Sequence, residues 1–222
     1  MITISSDAGK TWSEPYEMCS FKGRVYDACY YKGVIYALEF CNDGTGDFWG
    51  HEDEHLYRIF TSTDNGKSFN ELCVVPIPTY GRAYGAMLFD GEGRLHVYTY
   101  NIKDESKIDH IISYDCGKTW ESPTQCGVNL GLRNPQIAFI NGIFVAHGRD
   151  ADVKRLVLYT SIDGEHWEDG VVLREMHYHV GCYYSNNIVL KNSTGERMLI
   201  QFSEAYEAGC VNVWHTWLEV KR

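Results

Sequence analysis

The sequence predicts an all-β fold, a β-propeller of four-stranded antiparallel blades, and three observations carry that expectation. Strand and turn formers dominate: 16 Tyr, 9 Phe and 6 Trp stand beside 21 Gly and 5 Pro in 222 residues. A Ser-x-Asp segment recurs four times at a near-constant interval. The stretches between these segments read as short apolar or alternating runs bounded by turn residues, the pattern of successive strands. The length suits one domain, 1–222, large enough to bury its own core.

The recurring segments are SSDAGKTW at 5–12, STDNGKSF at 62–69, SYDCGKTW at 113–120 and the shorter SIDGEHW at 161–167. Their aspartates, Asp7, Asp64, Asp115 and Asp163, are 57, 51 and 48 residues apart. A period near fifty accommodates four strands and their turns, one propeller blade. Each carboxylate can accept hydrogen bonds from turn amides, and Gly9, Gly66 and Gly117 can take positive φ. Trp12, Phe69, Trp120 and Trp167 are placed to fill the gaps between neighbouring sheets. On this reading the aspartates are turn-makers, not catalysts.

The strands follow in order. VYDACYY and GVIYALEF come first, then a long polar loop from 42 to 54, HLYRIFTS entering the second octet and FNELCVVPI leaving it. AYGAMLF, GRLHVYTYN and DHIISY lead to the third octet, and PQIAFI, GIFVAHG and RLVLYTS to the fourth. YYSNNIVL, ERMLIQF and CVNVWHTWLEV close the chain with no octet after them. Two strands around the first octet and this C-terminal trio would combine into one mixed blade, giving five blades and removing the exposed edges of an open fragment.

A second repeat lies within the first. GRVYDA at 23–28, GRAYGA at 81–86 and LRNPQIA at 132–138 each open the innermost strand of a blade. Arg24, Arg82 and Arg133 therefore either converge on a central funnel, where planar guanidiniums suit a carboxylate or sulfate, or pair with carboxylates of their own or the next blade, such as Asp27. Tyr26, Tyr84, Tyr183 and Tyr184 on the same strands can stack on sugar rings or pack between blades.

The octets and their spacing resemble the Asp-box repeats of the sialidase family, whose members are propellers, usually of six blades. GEGRLHVYTYN with HIISYDCGKTW is similar to that family's third blade, and NPQIAFINGIFVAHGRDADVKRLVLYTSIDG to its fourth. The resemblance implies a carbohydrate ligand, an acidic sugar, with Arg149 of HGRD as a substrate-carboxylate arginine. It also implies a glutamate that activates a nucleophilic tyrosine, and Asn134 stands in that place. A further arginine would precede VNVWHTW, where Glu207, Ala208, Gly209 and Cys210 stand. In a second register Arg24 becomes the first family arginine, the acid falls among Asp43, Asp47 and Asp53, and Tyr184 takes the nucleophile's place. The implied function is thus a binding propeller with an incomplete catalytic set. The alternatives are an active exo-sialidase using Tyr184 with Asp47 or Asp53, or a structural propeller in a larger assembly such as a phage particle.

Lys plus Arg is 20 against 30 Asp plus Glu, a net charge of −10 that argues against nucleic acid. No apolar run approaches a membrane span and the N-terminus carries no export signal as given, so the expected location is the cytoplasm or a viral particle unless a leader was removed. Eight scattered cysteines without a C-x-x-C pair read mostly as buried thiols, with disulfides left open by the even count. HEDEH at 51–55 matches a zinc-protease pattern but lies in an acidic loop running into a strand, so no metal or other cofactor is expected.

Overall fold

The computed structural model describes residues 1–42, 55–79, 84–175, 183–193, 195–207 and 209–220. Within them the chain is all β, a propeller of four sheets. The first sheet contains β1 (Gly23–Tyr31), β2 (Val34–Asn42), β3 (His55–Ser62) and β4 (Asn70–Val74). The second contains β5 (Gly85–Phe89), β6 (Leu95–Tyr100), β7 (Lys107–Ser113) and β8 (Thr124–Gly127). The third contains β9 (Arg133–Ile140), β10 (Ile143–Arg149), β11 (Arg155–Ser161) and β12 (Val171–Glu175). The fourth has three strands, β13 (Ser185–Asn192), β14 (Gly195–Glu207) and β15 (Cys210–Leu218). Every pairing is antiparallel between consecutive strands, as short hairpin connections require. No helix among these residues is long and apolar enough to cross a membrane.

The second, third and fourth octets each join the third and fourth strands of a sheet, whereas the first precedes β1, and the hydrogen bonds within an octet explain its recurring spacing. In the third octet Ser113 Oγ accepts from Gly117 N at 2.7 Å and donates to Asp115 at 2.9 Å. Asp115 in turn accepts from the Thr119 amide at 2.8 Å and hydroxyl at 2.7 Å. The second octet repeats this with Ser62, Asp64, Gly66 and Ser68. Gly66 and Gly117 take φ of 84° and 91°, where a side chain would be strained. Hydrogen bonds from the Thr119 hydroxyl and amide, outweighing burial, hold the Asp115 carboxyl down at about 2.

Apolar faces of successive sheets form three cores. Leu38, Tyr57 and Ile59 of the first sheet pack on Met87, Leu95 and Val97 of the second. Tyr98 and Ile108 meet Phe144, Val157 and Tyr159 of the third, and Ile140, Val145 and Leu156 meet Met198, Ile200 and Phe202 of the fourth. Trp120 and Trp167 do join cores between sheets. Trp12, expected to do the same, is 62% exposed and only donates its indole N–H to Gly9 O.

The fifth, mixed blade does not form. The N-terminal segment makes an isolated antiparallel bridge, Ile2 to Tyr16, and Ile2, Met18 and Phe21 pack with Ala37 and Phe60 of the first sheet. With its apolar side chains covered there, this segment does not pair with β15, which remains an edge strand with Val211 and Val213 exposed. Of the seven described cysteines, Cys41 and Cys126 are buried and the other five half-buried, fewer buried than expected.

Three histidines lie fully inside these contacts. His110 Nε2 is 3.0 Å from His96 Nδ1, whose Nε2 is 3.2 Å from Asp90. Asn187 Nδ2 donates to His147 Nε2 at 3.1 Å, leaving the ring proton on Nδ1 for Ser185 Oγ at 2.9 Å. Burial lowers the affinity of each for a proton, to about 3 for His110 and His147.

Replacing Ser113 with alanine strands the buried Gly117 N–H and should cost about 1–3 kcal/mol in urea unfolding. An unchanged midpoint would remove the octet's structural role. The histidines predict a second behaviour: they bind protons in the unfolded chain below about 6.5 but stay neutral in the fold until about 3. Stability should therefore fall as pH drops from about 6.5 toward 3, and a His147→Gln variant should show a shallower fall across that window in parallel denaturation curves.

Candidate functional site

The first residues of the inner strands bring most of the predicted ligands together. Tyr26 of β1 lies edge-on to Tyr84 at 5.7 Å, and Tyr84 meets Tyr100 at 5.9 Å. The Arg133 guanidinium stands 5.8 Å from the Tyr100 ring, and Arg149 Cζ sits 4.3 Å over the ring of Tyr184. Burial raises the Tyr26 phenol, opposed by a hydrogen bond from Arg24 and its charge, while Tyr84 and Tyr184 add small upward pushes. Arg24, Tyr26, Tyr84 and Arg133 are thus linked by way of Tyr100, and the Arg149–Tyr184 pair lies near enough for Tyr184 to act electrostatically on Tyr26. Arg82, Asp47 and Asp53 lie outside the described residues, as do residues 51–54 of HEDEH and Cys182. His55 begins β3 and is buried.

The two arginines whose partners are described differ in a way that matters chemically. Arg133 makes a bidentate pair with Glu105, one contact at 3.0 Å, and Tyr100 Oη also donates to that carboxylate at 2.5 Å. Its charge is already balanced, the arrangement in which channel arginines pair with acids. Arg149, only 6% exposed, donates through Nε to Asn134 Oδ1 at 2.8 Å, and through Nη2 to the same oxygen. A neutral amide thus holds this buried guanidinium, and it makes no ion pair among the described residues. Asn134 adopts φ of 52° and Tyr183 φ of 59°, left-handed conformations that non-glycine residues rarely hold and that concentrate at binding sites.

Asp27, named above as a possible arginine partner, instead accepts from the Ala28 and Met87 amides, each at 2.8 Å, tying the first sheet to the second. Burial outweighs both hydrogen bonds and pushes its carboxyl up to about 7. Sequence reasoning missed Glu105 as the counter-ion of Arg133. It also missed Glu204, which takes a bidentate pair from Arg174 at 3.0 and 2.9 Å and a hydrogen bond from Tyr183 at 3.2 Å. Each acid is 28 or 30 residues from its arginine, and no local motif marks such pairs.

No protein-family model and no curated protein matches the chain. Solved structures do. A protein of unknown function from Dyadobacter fermentans is similar with a TM-score of 0.74 at 13% identity, over 99% of this chain and 63% of its own. An α-L-arabinofuranosidase from Fusarium graminearum, solved with an iminosugar inhibitor, gives 0.61 at 15% over 89% of this chain and 64% of its own. A Trypanosoma rangeli sialidase with 2,3-difluorosialic acid, a covalent intermediate, gives 0.59 at 15% over 96% of this chain and 41% of its own. The chain thus spans less than two thirds of the length of each, and the likeness is one of fold: β-propellers that include glycoside hydrolases.

The raised Asp27 carboxyl has a measurable consequence. The native state holds its proton more tightly than the unfolded chain, where aspartate titrates near 3.8, so its contribution to stability falls as pH rises from about 4 to about 7. The unfolding free energy of Asp27→Asn minus that of the wild type should therefore drift in the variant's favour across that window, whatever its absolute offset. A pH-independent difference would mean that the carboxyl titrates normally.

Proposed function

We propose that this chain is a sialidase-like propeller that recognises a carbohydrate, an acidic sugar, without cleaving it. The observation that carries the reading is Arg149: a buried guanidinium held by an amide and an aromatic face rather than by a carboxylate. Among the described residues this cation has no counter-ion, a costly state, and an arriving sugar carboxylate would supply the missing charge in bidentate geometry. Arg24 and the neighbouring Tyr26 and Tyr84 border the same cluster and offer a second cation and apolar ring faces. Arg133, neutralised by Glu105, contributes position more than charge. The fold shared with sialidases and an arabinofuranosidase supports a carbohydrate-related role at the level of architecture.

Binding without hydrolysis follows from Asn134. A phenol nucleophile needs a base to take its proton, and a carboxamide at that position cannot act as one. One observation favours the second reading, an exo-sialidase with Asp47 or Asp53 as acid: Tyr184 is half exposed and lies directly under Arg149.

The two readings part in one experiment. Calorimetric titration with N-acetylneuraminate should show binding by the wild type and a loss of about 30-fold or more, about 2 kcal/mol, in Arg149→Ala shown by circular dichroism to be folded. A fluorogenic sialoside should release no fluorophore. Release that disappears in Tyr184→Phe would establish the hydrolase instead, and equal binding by Arg149→Ala would overturn the acidic-sugar reading.

A further inference from the structure

Beside the arginine site, with which it shares Tyr26, the first and fourth sheets enclose a cleft of about 630 Å³, within the roughly 300–1,000 Å³ of small-molecule sites. One wall is the stretch 25–28 of β1, including Asp27, and Gln136 of β9 also lines it. The other wall is a single face of the fourth sheet. Strand register sets two cross-strand rows on that face. Asn186, Gln201 and His215 lie side by side in one, and Ile188, Leu199 and Trp217 in the next. Alternate residues of a strand share a face, so both rows project on one side, about 7 Å apart. Met198, Ile200 and Phe202 project on the other side and are buried against the third sheet.

A polar row of two amides and an imidazole beside an apolar row ending in an indole has the chemistry of a sugar ring seen edge-on. Carboxamides donate and accept from one planar group, as vicinal hydroxyls do, and an indole face covers the C–H face of a pyranose. Trp217 is 43% exposed, and Arg197 Cζ stacks 4.6 Å from its ring, which restrains its plane. Asn187, which also lines the cleft, is anchored through its amide to the buried His147. Among the described residues that line the cleft, Asp27 is the one carboxyl and there is no Lys or Arg.

We propose that this cleft binds a neutral, uncharged sugar ring, with its apolar face on the Trp217 row and its hydroxyls on the Asn186, Gln201 and His215 row. The absence of Lys and Arg from the described lining distinguishes its chemistry from that of the Arg149 site, proposed above to take an anion, although the two share Tyr26 as a border. A glycan could therefore place an acidic residue at one site and a neutral residue at the other. This inference stands whether or not the Arg149 reading does.

The test is titration of the full chain with methyl β-D-galactopyranoside, read by tryptophan fluorescence and confirmed by calorimetry. A saturable signal with Kd in the millimolar range is expected, as suits a single ring. Trp217→Ala and Gln201→Ala, both at exposed positions, should each weaken binding about tenfold, the loss of one good contact. Arg149→Ala should leave it unchanged and N-acetylneuraminate should not compete. No saturable response from the wild type, or equal binding by both cleft variants, would overturn the proposal. Loss on Arg149→Ala would overturn it too, by moving the neutral sugar to the arginine cluster. A dimer in light scattering that Trp217→Ala dissolves would overturn it by showing that a second copy fills the cleft.

Discussion

A twisted sheet that is apolar on both faces must be covered on both, and this requirement organises the whole molecule. The first three sheets satisfy it by packing on their successors, through cores built from Leu38 and Tyr57, then Tyr98 and Phe144, then Ile140 and Met198. Buried tyrosines add directional links, since Tyr98 Oη donates to Gly164 O at 2.9 Å and Tyr57 Oη accepts from Tyr84 N at 3.3 Å. Where the requirement goes unmet, apolar side chains stand in the open: Trp12 in the first octet, and Val211, Val213 and Trp217 on β15. Those positions mark the boundary between what the four sheets cover themselves and the face on which the cleft is built.

The inner strands answer to a different pressure. They run side by side, β1 with β5, β5 with β9 and β9 with β13, so residues far apart in sequence converge where their strands begin. The consequence is that, among the described residues, one arginine of that region has a counter-ion and another has none. Glu105 cancels Arg133, whereas Asn134 holds Arg149 without cancelling it. A carboxylate in place of the Asn134 amide would give Arg149 an internal counter-ion, and on the proposed reading would remove its reason to bind an anion. On that reading the same amide offers Tyr184 no base. On the proposed reading, that one residue would therefore act in both directions, toward recognition and away from cleavage.

The arrangement of strands was largely readable, because each segment carries its own signal. Strands β1 to β3, β5 to β7, β9 to β11 and β13 to β15 all fall on runs recognisable by apolar alternation. The octet turns were equally plain, since Ser113, Asp115, Gly117 and Thr119 bond to one another within four residues or fewer. The fifth blade was misjudged for a physical reason. Whether residues 2–16 pair with β15 or settle on the first sheet depends on competition between surfaces, and neither segment's own pattern contains the outcome. The cleft went unread on the same grounds: the alternation in β15 announces a two-sided strand, not which side remains uncovered.

By itself, then, the sequence determined the elements and the turns that join them, since both arise from interactions within one strand or within four residues along the chain. Only the tertiary structure decided which charges are balanced and which sheet faces are covered. Arg133 meets Glu105 across 28 residues, Arg174 meets Glu204 across 30, and Asp27 reaches Met87 across 60. Such partners are chosen by how the sheets stack around the centre, a geometry that emerges when hydrophobic faces are buried together and that no short stretch of chain specifies.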